Sequence, residues 1–204
     1  MNESLNKLLN EGTLLIKQKD SPYSNEDWRL LNQLTDLEVF PFEYVAIGDT
    51  GEPEKLQVGR IVTDVTESIL IENNNSKKIW EIINSNKSVT FLKNLLSLKD
   101  IVIRRCQVHI LRTDCFIGYH LDKDSNPDYL YAVILQFSES YSGGDFIVHN
   151  TNSEKKFVYR SFYGELLVTR CDFPHEVTKV KNGERKSLVF FVSENRGLNK
   201  RFIK

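Results

Sequence analysis

From Ile101 onward the chain is a series of short apolar runs. They are Ile101 to Leu111, Leu130 to Phe137, Phe146 to His149, Phe157 to Arg160, Leu166 to Thr169, Glu176 to Val180 and Ser187 to Val192. Clusters of Gly, Asn, Asp and Ser separate them. Many short strands punctuated by turn chemistry leave two main solutions, a β-sandwich or a barrel. Asn182-Gly183 is a tight hairpin signal. It is expected to lay the strand of His175 antiparallel to that of Arg185, as neighbours.

The first hundred residues have a different texture. Residues 4–17 carry Leu5, Leu8, Leu9 and Leu15 and predict a helix, broken by Ser21-Pro22. Ser24-Asn25-Glu26-Asp27 has the form of a capping box opening a second helix, with Leu30, Leu31 and Leu34 on its apolar face. Phe40-Pro41-Phe42 is expected to end it. Tyr44 to Ile47, Gln57 to Thr63 and Ser68 to Ile71 predict strands, with Asp49-Thr50-Gly51 as turn chemistry. Ser76 and Ser88 are the expected starts of two further helices, carrying Ile79, Trp80, Ile82 and Ile83, then Phe91, Leu92, Leu95 and Leu96. These helices are expected to brace a sheet. The fold class is mainly β with flanking helices, a distorted jelly roll with the N-terminal helices on its outside. One domain is expected over 1–204: a support region to 100, a core over 101–193 and a tail over 194–204.

Within the β region stands Gly118-Tyr119-His120-Leu121-Asp122, and far downstream Phe173-Pro174-His175. On an extended strand His120 and Asp122 point to one face. A second His brought alongside by the fold gives two imidazoles and a carboxylate, the facial set that suits iron(II) and leaves positions open. His-x-Asp alone also fits a surface His beside a solvated Asp. Arg185 follows His175 by ten residues, and Arg185 and Ser187 share a strand face; a guanidinium fork plus a hydroxyl suits a carboxylate tail. Asp124 is a rival ligand on the same face. His109 is expected in a satisfied core or ligand-supporting role, and His149 beside Asn150-Thr151-Asn152 is expected to be solvated. Lys186 should point away from Arg185.

Four ordered motifs carry a family resemblance: Phe116-Ile117-Gly118-Tyr119-His120-Leu121-Asp122, Tyr141-Ser142-Gly143-Gly144-Asp145-Phe146, Pro174-His175-Glu176-Val177 and Gly183-Glu184-Arg185. Over roughly residues 101–193 the chain resembles the iron(II)/2-oxoglutarate-dependent oxygenases, in their prolyl 4-hydroxylase-like branch. The resemblance implies iron(II) held by His120, Asp122 and His175, and 2-oxoglutarate held by Arg185 with Ser187. It also implies ascorbate as a reductant, and hydroxylation of an unactivated carbon coupled to formation of succinate and carbon dioxide. A peptidyl or amino-acid-like small molecule is the implied substrate. The family's usual Tyr ahead of the metal motif falls here on Leu111. Gly143-Gly144 is expected to be a structural turn.

Other classes stay in view. A non-catalytic cupin-like module binding metal or sugar would not require Arg185 at its spacing. A nucleic-acid demethylase would carry two arginines further past the second His. Charge is balanced at −1, with 27% charged and 40% hydrophobic residues, and no block of like charge marks nucleic acid as a partner. No apolar run is long enough to cross a membrane, and the N-terminus lacks the pattern of a signal peptide. The 3 cysteines, Cys106, Cys115 and Cys171, show no CxxC spacing and are expected as buried small hydrophobes in a cytoplasmic protein.

Overall fold

The computed structural model describes residues 3–45, 56–150 and 153–202. The helices are α1 (Glu3–Glu11), α2 (Asn25–Leu34), α3 (Asn74–Ile83) and α4 (Asn86–Leu96). The strands are β1 (Thr13–Lys17), β2 (Glu43–Val45), β3 (Leu56–Asp64), β4 (Ser68–Leu70), β5 (Val102–Leu111), β6 (Ile117–His120) and β7 (Tyr131–Gln136). They continue with β8 (Tyr141–Gly143), β9 (Phe146–His149), β10 (Lys156–Tyr159), β11 (Glu165–Arg170), β12 (His175–Val177), β13 (Val180–Gly183) and β14 (Arg185–Ser193). Eight strands form one sheet in the order β1-β11-β7-β14-β5-β3-β2, with β4 beside β3. A four-stranded sheet, β10-β9-β12-β6, closes over its inner face, and β13 pairs with β8 as a ribbon. This is the distorted jelly roll with outer helices that the sequence predicts.

Strand β14 shows why both faces of the large sheet are apolar. All nine of its residues are buried. Leu188, Phe190 and Val192 face outward into a core shared with Trp28, Leu31 and Ile79 of the helices. Val189 and Phe191 face inward with Ile117, Phe146 and Val177 of the small sheet. A strand covered on both sides loses the polar-out alternation and reads as one continuous run.

The helices depart from their sequence boundaries for local reasons. Ser24 caps α2 as expected: its Oγ accepts from Asp27 N at 3.1 Å and Asp27 Oδ2 accepts from Ser24 N at 2.8 Å. The buried face is Trp28, Leu31 and Leu34, while Leu30 is exposed. The helix stops at Leu34, ahead of Phe40-Pro41-Phe42, where the Thr35 hydroxyl donates to Leu31 O at 2.8 Å. Asn73, not Ser76, caps α3, its side chain accepting from Ser76 N at 2.7 Å. Ser85 caps α4, and Ser88 is buried one turn in against the Tyr23 hydroxyl at 2.8 Å.

Two expectations are overturned. Residues 4–17 are not one helix. Gly12 sits at φ +77° and its N–H closes α1 on Leu8 O at 3.0 Å. Thr13–Lys17 then add a strand to β11, in a register that pairs Leu15 with Leu167. The Asn182-Gly183 turn does not pair the strand of His175 with that of Arg185. Gly183, at φ +83°, passes the chain from the β8–β13 ribbon into the large sheet. His175 and Arg185 therefore lie on opposite sheets and approach across the interior. The proposed strand residues Ala46 and Ile47, the turn Asp49-Thr50-Gly51, and Thr151-Asn152 lie outside the described residues.

A buried node braces the segment that follows Asp122. Asp64, at the end of β3, accepts from Arg104 Nη2 at 2.8 Å, Asn126 Nδ2 at 2.8 Å and the Tyr129 hydroxyl at 2.9 Å. Asn199 Nδ2 donates to Asp64 O at 2.8 Å and to Ser125 O at 3.1 Å. Among the described residues no helix is long and apolar enough to cross a membrane.

Candidate active site

Strands β6 and β12 pair with His120 directly opposite His175, so the two imidazoles stand 4.4 Å apart between centroids. Each ring is fixed by its own strand. His120 Nδ1–H donates to Gly118 O at 2.8 Å and His175 Nδ1–H to Phe173 O at 3.0 Å. The carbonyls can only accept, so both Nδ1 atoms carry protons and both Nε2 atoms are turned toward Asp122. Strand β6 ends at His120, two residues sooner than a shared strand with Asp122 would need. Leu121 remains extended and Asp122 opens a short 3-10 turn, which still carries its carboxylate to the imidazoles. The Nε2 atoms of His120 and His175 lie 3.5 Å from Asp122 Oδ1 and Oδ2 respectively. Asp124 is not part of this cluster.

The three ligand atoms lie within 4.8 Å of one another, with Asp122 and His175 buried. Asp122 Oδ2 has no hydrogen-bond donor. Burial alone would raise the Asp122 carboxyl, but the nearby His175 and the hydrogen bond and charge of His120 overcome it, and the group stays below its ordinary value. Burial pulls His175 down, against the pull of Asp122. A buried carboxylate that faces two imidazoles and keeps one oxygen unpartnered is a cation's environment, and these donors fit a divalent iron. The Cys171 thiol lies against Asp122; burial holds it well above its ordinary range, so it stays protonated.

A second unpaired set faces the triad from β14 and β7. Arg185 is 2% exposed and its Nε has no partner; Ser187 Oγ and both amide atoms of Gln136 are equally unpartnered. Ser187 is in direct register with Gln136 on one side and His109 on the other. Each such buried group costs about 1–3 kcal/mol while unmet. No carboxylate among the described residues lies within ion-pair distance of Arg185. Burial pulls its guanidinium down, with the Tyr141 hydroxyl favouring the charged form. Leu111 is fully buried directly opposite Arg185, where it offers no donor. Gly143 and Gly144, both at positive φ, let the β8 turn lie close: a Cβ on Gly144 would stand 3.0 Å from the Tyr141 ring and 3.2 Å from Arg185 Cδ. The pair is structural, as expected, and it also makes room at the site.

An inner cavity of about 40 Å³ touches both sets, lined by His120, Asp122, His175 and Arg185 together with Phe146 and Val189. It joins an outer cavity of about 410 Å³ that reaches solvent between β5 and the 122–125 turn. His109 lines both; Gln107 Nε2 donates to its Nε2 at 2.6 Å, and burial next to Arg185 and His120 pushes it down to about 3, so it is neutral. His149 is not free in solvent as expected: it is half-buried outside the small sheet, with Nε2 2.9 Å from Glu176 Oε1 and its ring edge-on to Tyr119. Gln136, Gln107 and Arg105 are site-facing residues that motif reading missed. Their sequence signal is polar residues at inward positions of largely apolar strands, alternating as Arg105, Gln107 and His109 on β5.

The model of the 2OG-Fe(II) oxygenase superfamily matches residues 106–193. A crystal structure of an oxidoreductase of the 2OG-Fe(II) oxygenase family from Burkholderia pseudomallei is 30% identical, covers 98% of this chain and 93% of its own, and superposes with a TM-score of 0.90. This chain belongs to the 2OG-Fe(II) oxygenase superfamily. A PKHD-type hydroxylase of Prochlorococcus marinus (strain MIT 9515) is 27% identical over 168 residues, 78% of this chain and 72% of that one. A Pseudomonas putida prolyl-4-hydroxylase, at 16% identity and a TM-score of 0.63 over 94% of this chain and 97% of that one, shares the fold. The oxygenase uses iron(II) and 2-oxoglutarate, and the donor set His120, Asp122 and His175 fits the cation.

Proposed function

We propose that this oxygenase is a hydroxylase in which His120, Asp122 and His175 hold iron(II), and Arg185 and Ser187, joined by Gln136, hold the 5-carboxylate of 2-oxoglutarate. The observation that carries this reading is that Asp122 Oδ2, within the triad, and the buried set Arg185 Nε, Ser187 Oγ and Gln136 all lack partners and face each other across one small cavity. When bound, iron(II) with 2-oxoglutarate and oxygen supplies the oxidising power that converts a C–H bond to C–OH, leaving succinate and carbon dioxide. The chain's own residues orient and exclude. Gly118 O and Phe173 O aim the two imidazoles, and Arg185 fixes the cosubstrate's far end bidentately. Ile117, Ile134, Phe146 and Val177 keep water from the inner cavity. A carboxylate at Asp122 favours hydroxylation over halogenation, which needs that position vacated.

A peptidyl or amino-acid-like substrate is the reading we adopt. It is supported by the likeness to prolyl hydroxylases, one of them solved with a peptide fragment, and by an outer cavity wide enough for either. The whole chain acts as one oxygenase domain, the helices serving the outer core. Cytoplasmic residence is supported by three buried cysteines without CxxC spacing, and ascorbate as a reductant by the family alone. In the test, His175→Ala is purified with wild type and assayed for iron content and for succinate formation from 2-oxoglutarate. Loss of both by more than about 100-fold is expected, because an imidazole ligand contributes several kcal/mol. Retention of tightly bound iron would remove His175 from the centre.

A further inference from the structure

The outer cavity has a sign. Three guanidiniums line it, Arg60, Arg105 and Arg201, against two carboxylates, Asp122 and Asp124, and Asp122 is the one committed to the metal. The arginines are not equivalent. Arg60 is paired with Glu43 at the rim. Arg105 is half-buried and has neither a hydrogen bond nor an ion pair to any described residue. Its guanidinium lies 5.7 Å from the Tyr129 ring centroid and 5.8 Å from that of Phe191, two rings stacked 4.7 Å apart. Aromatic contacts of this kind hold the planar group in place while leaving its in-plane N–H fork open.

Its position is tied to the chemistry by the strand it stands on. Arg105, Gln107 and His109 share the inner face of β5 at two-residue spacing, and His109 stands against the triad, feeling the charges of His120 and Asp122. At about 3.3 Å of rise per residue, Arg105 starts about 13 Å up the strand from His109. A molecule reaching the triad through this mouth passes Gln107 and leaves its outer end beside Arg105.

Building on the hydroxylase reading above, we infer that Arg105 anchors the substrate, which carries a carboxylate at the end away from the carbon that is hydroxylated. A carboxylate meets the open fork in two parallel hydrogen bonds, whereas a neutral amide meets at most one and leaves the desolvated cation short. The discrimination between matched acid and amide is about 10- to 100-fold. The same chemistry has two sources: the free carboxylate of an amino-acid-like metabolite, or an acidic side chain of a peptide.

The test uses the enzyme loaded with iron(II) and 2-oxoglutarate. The probes are N-acetyl amino acids and their carboxamides, together with end-capped peptides that carry Asp or Glu, or Asn or Gln in its place. The readouts are the probe concentration that half-maximally stimulates succinate release and the appearance of a product with one added oxygen atom. Acids effective at concentrations about 10- to 100-fold below those of their amides, with the preference lost in Arg105→Gln and partly kept in Arg105→Lys, support the anchor. A response confined to N-acetyl amino acids assigns a metabolite, and one confined to capped peptides assigns a protein substrate. Equal responses to acid and amide, a preference that survives in Arg105→Gln, or no response to any acid overturns it. Iron content and melting temperature of the variants report that they are folded and loaded. Binding of iron(II) and 2-oxoglutarate by wild type without any probe reads the oxygenase site itself, so its absence sinks the hydroxylase reading, while its presence without a charge preference sinks the anchor alone.

Discussion

Two buried cations stand side by side on β14 and face opposite ways. Lys186 points out to the helices, where its ammonium donates to Asn32 O at 2.8 Å and pairs with Asp36. Arg185 points into the barrel, where its Nε has no acceptor. The contrast extends across the sheet. On the outer face Tyr23 meets Ser88, and on the inner face Gln136, Ser187, Arg185 and Asp122 stay open. Five of the seven buried side-chain atoms without partners, among the described residues, lie in the interior; the outer two belong to Ser76 and Gln57. Natural cores pair almost all such groups. Where they cluster unpaired, the missing partner comes from outside the chain. Burial alone does not separate a structural cation from a functional one, but the completeness of its hydrogen bonding does.

The largest test of this contrast is Arg185→Ala. It leaves the incoming 5-carboxylate unpaired in a buried site, so the half-saturating 2-oxoglutarate concentration rises by about 100-fold or more while iron binding holds. Arg185→Lys falls between, since it keeps charge and loses the fork. An unchanged titration of succinate formation against 2-oxoglutarate would put Arg185 in the same class as Lys186. Lys186→Met is the converse. It should cost about 1 kcal/mol of stability in denaturant unfolding, no more, because the Asp36 side chain is 56% exposed and stays hydrated when its partner goes. Its 2-oxoglutarate dependence should match wild type; a shift of several-fold would mean the two faces are coupled. Gln136→Leu gives the smallest effect. Removing an amide whose two polar atoms are both unmet is close to neutral for the empty fold. The same change should raise the half-saturating 2-oxoglutarate concentration by about 3- to 10-fold, and a clear drop in melting temperature would show that Gln136 is paired after all.

The comparison also sorts what was legible in the sequence. The spacings His120 to Asp122 and Arg185 to Ser187 were readable because spacing survives in one dimension, and the structure brings His120, Asp122 and His175 together. The opposite faces of Arg185 and Lys186 followed from the two-residue period alone. The pairing partner of a strand does not follow from that period. Asn182-Gly183 suggested a tight hairpin, but both residues lie within β13, and the pairing of β13 and of β14 is decided by β8 and β5, far away in the chain. Residues 13–17 failed for a related reason: Leu14, Leu15 and Ile16 suit a helix stripe or a strand equally, and the decision was made by β11, which offered an edge. Gln136, Gln107 and Arg105 belong to no motif. They are polar residues inside largely apolar strands, and only their inward direction gives them meaning.

Asp64 has a consequence for how the centre comes and goes. Its three side-chain donors and the Asn199 clamp stake down the segment from Ser125 to Tyr129 from both sides. The turn that carries Asp122 is thus anchored by contacts to which the metal contributes nothing. In many small metal proteins the ion is the nucleus around which the loop condenses, and stripping it dissolves the structure. Here the segment beside the ligand is tied to Asp64 and Asn199 by the protein's own hydrogen bonds, so little of a bound ion's free energy need go into ordering it, and chelation is expected to change the site more than the fold.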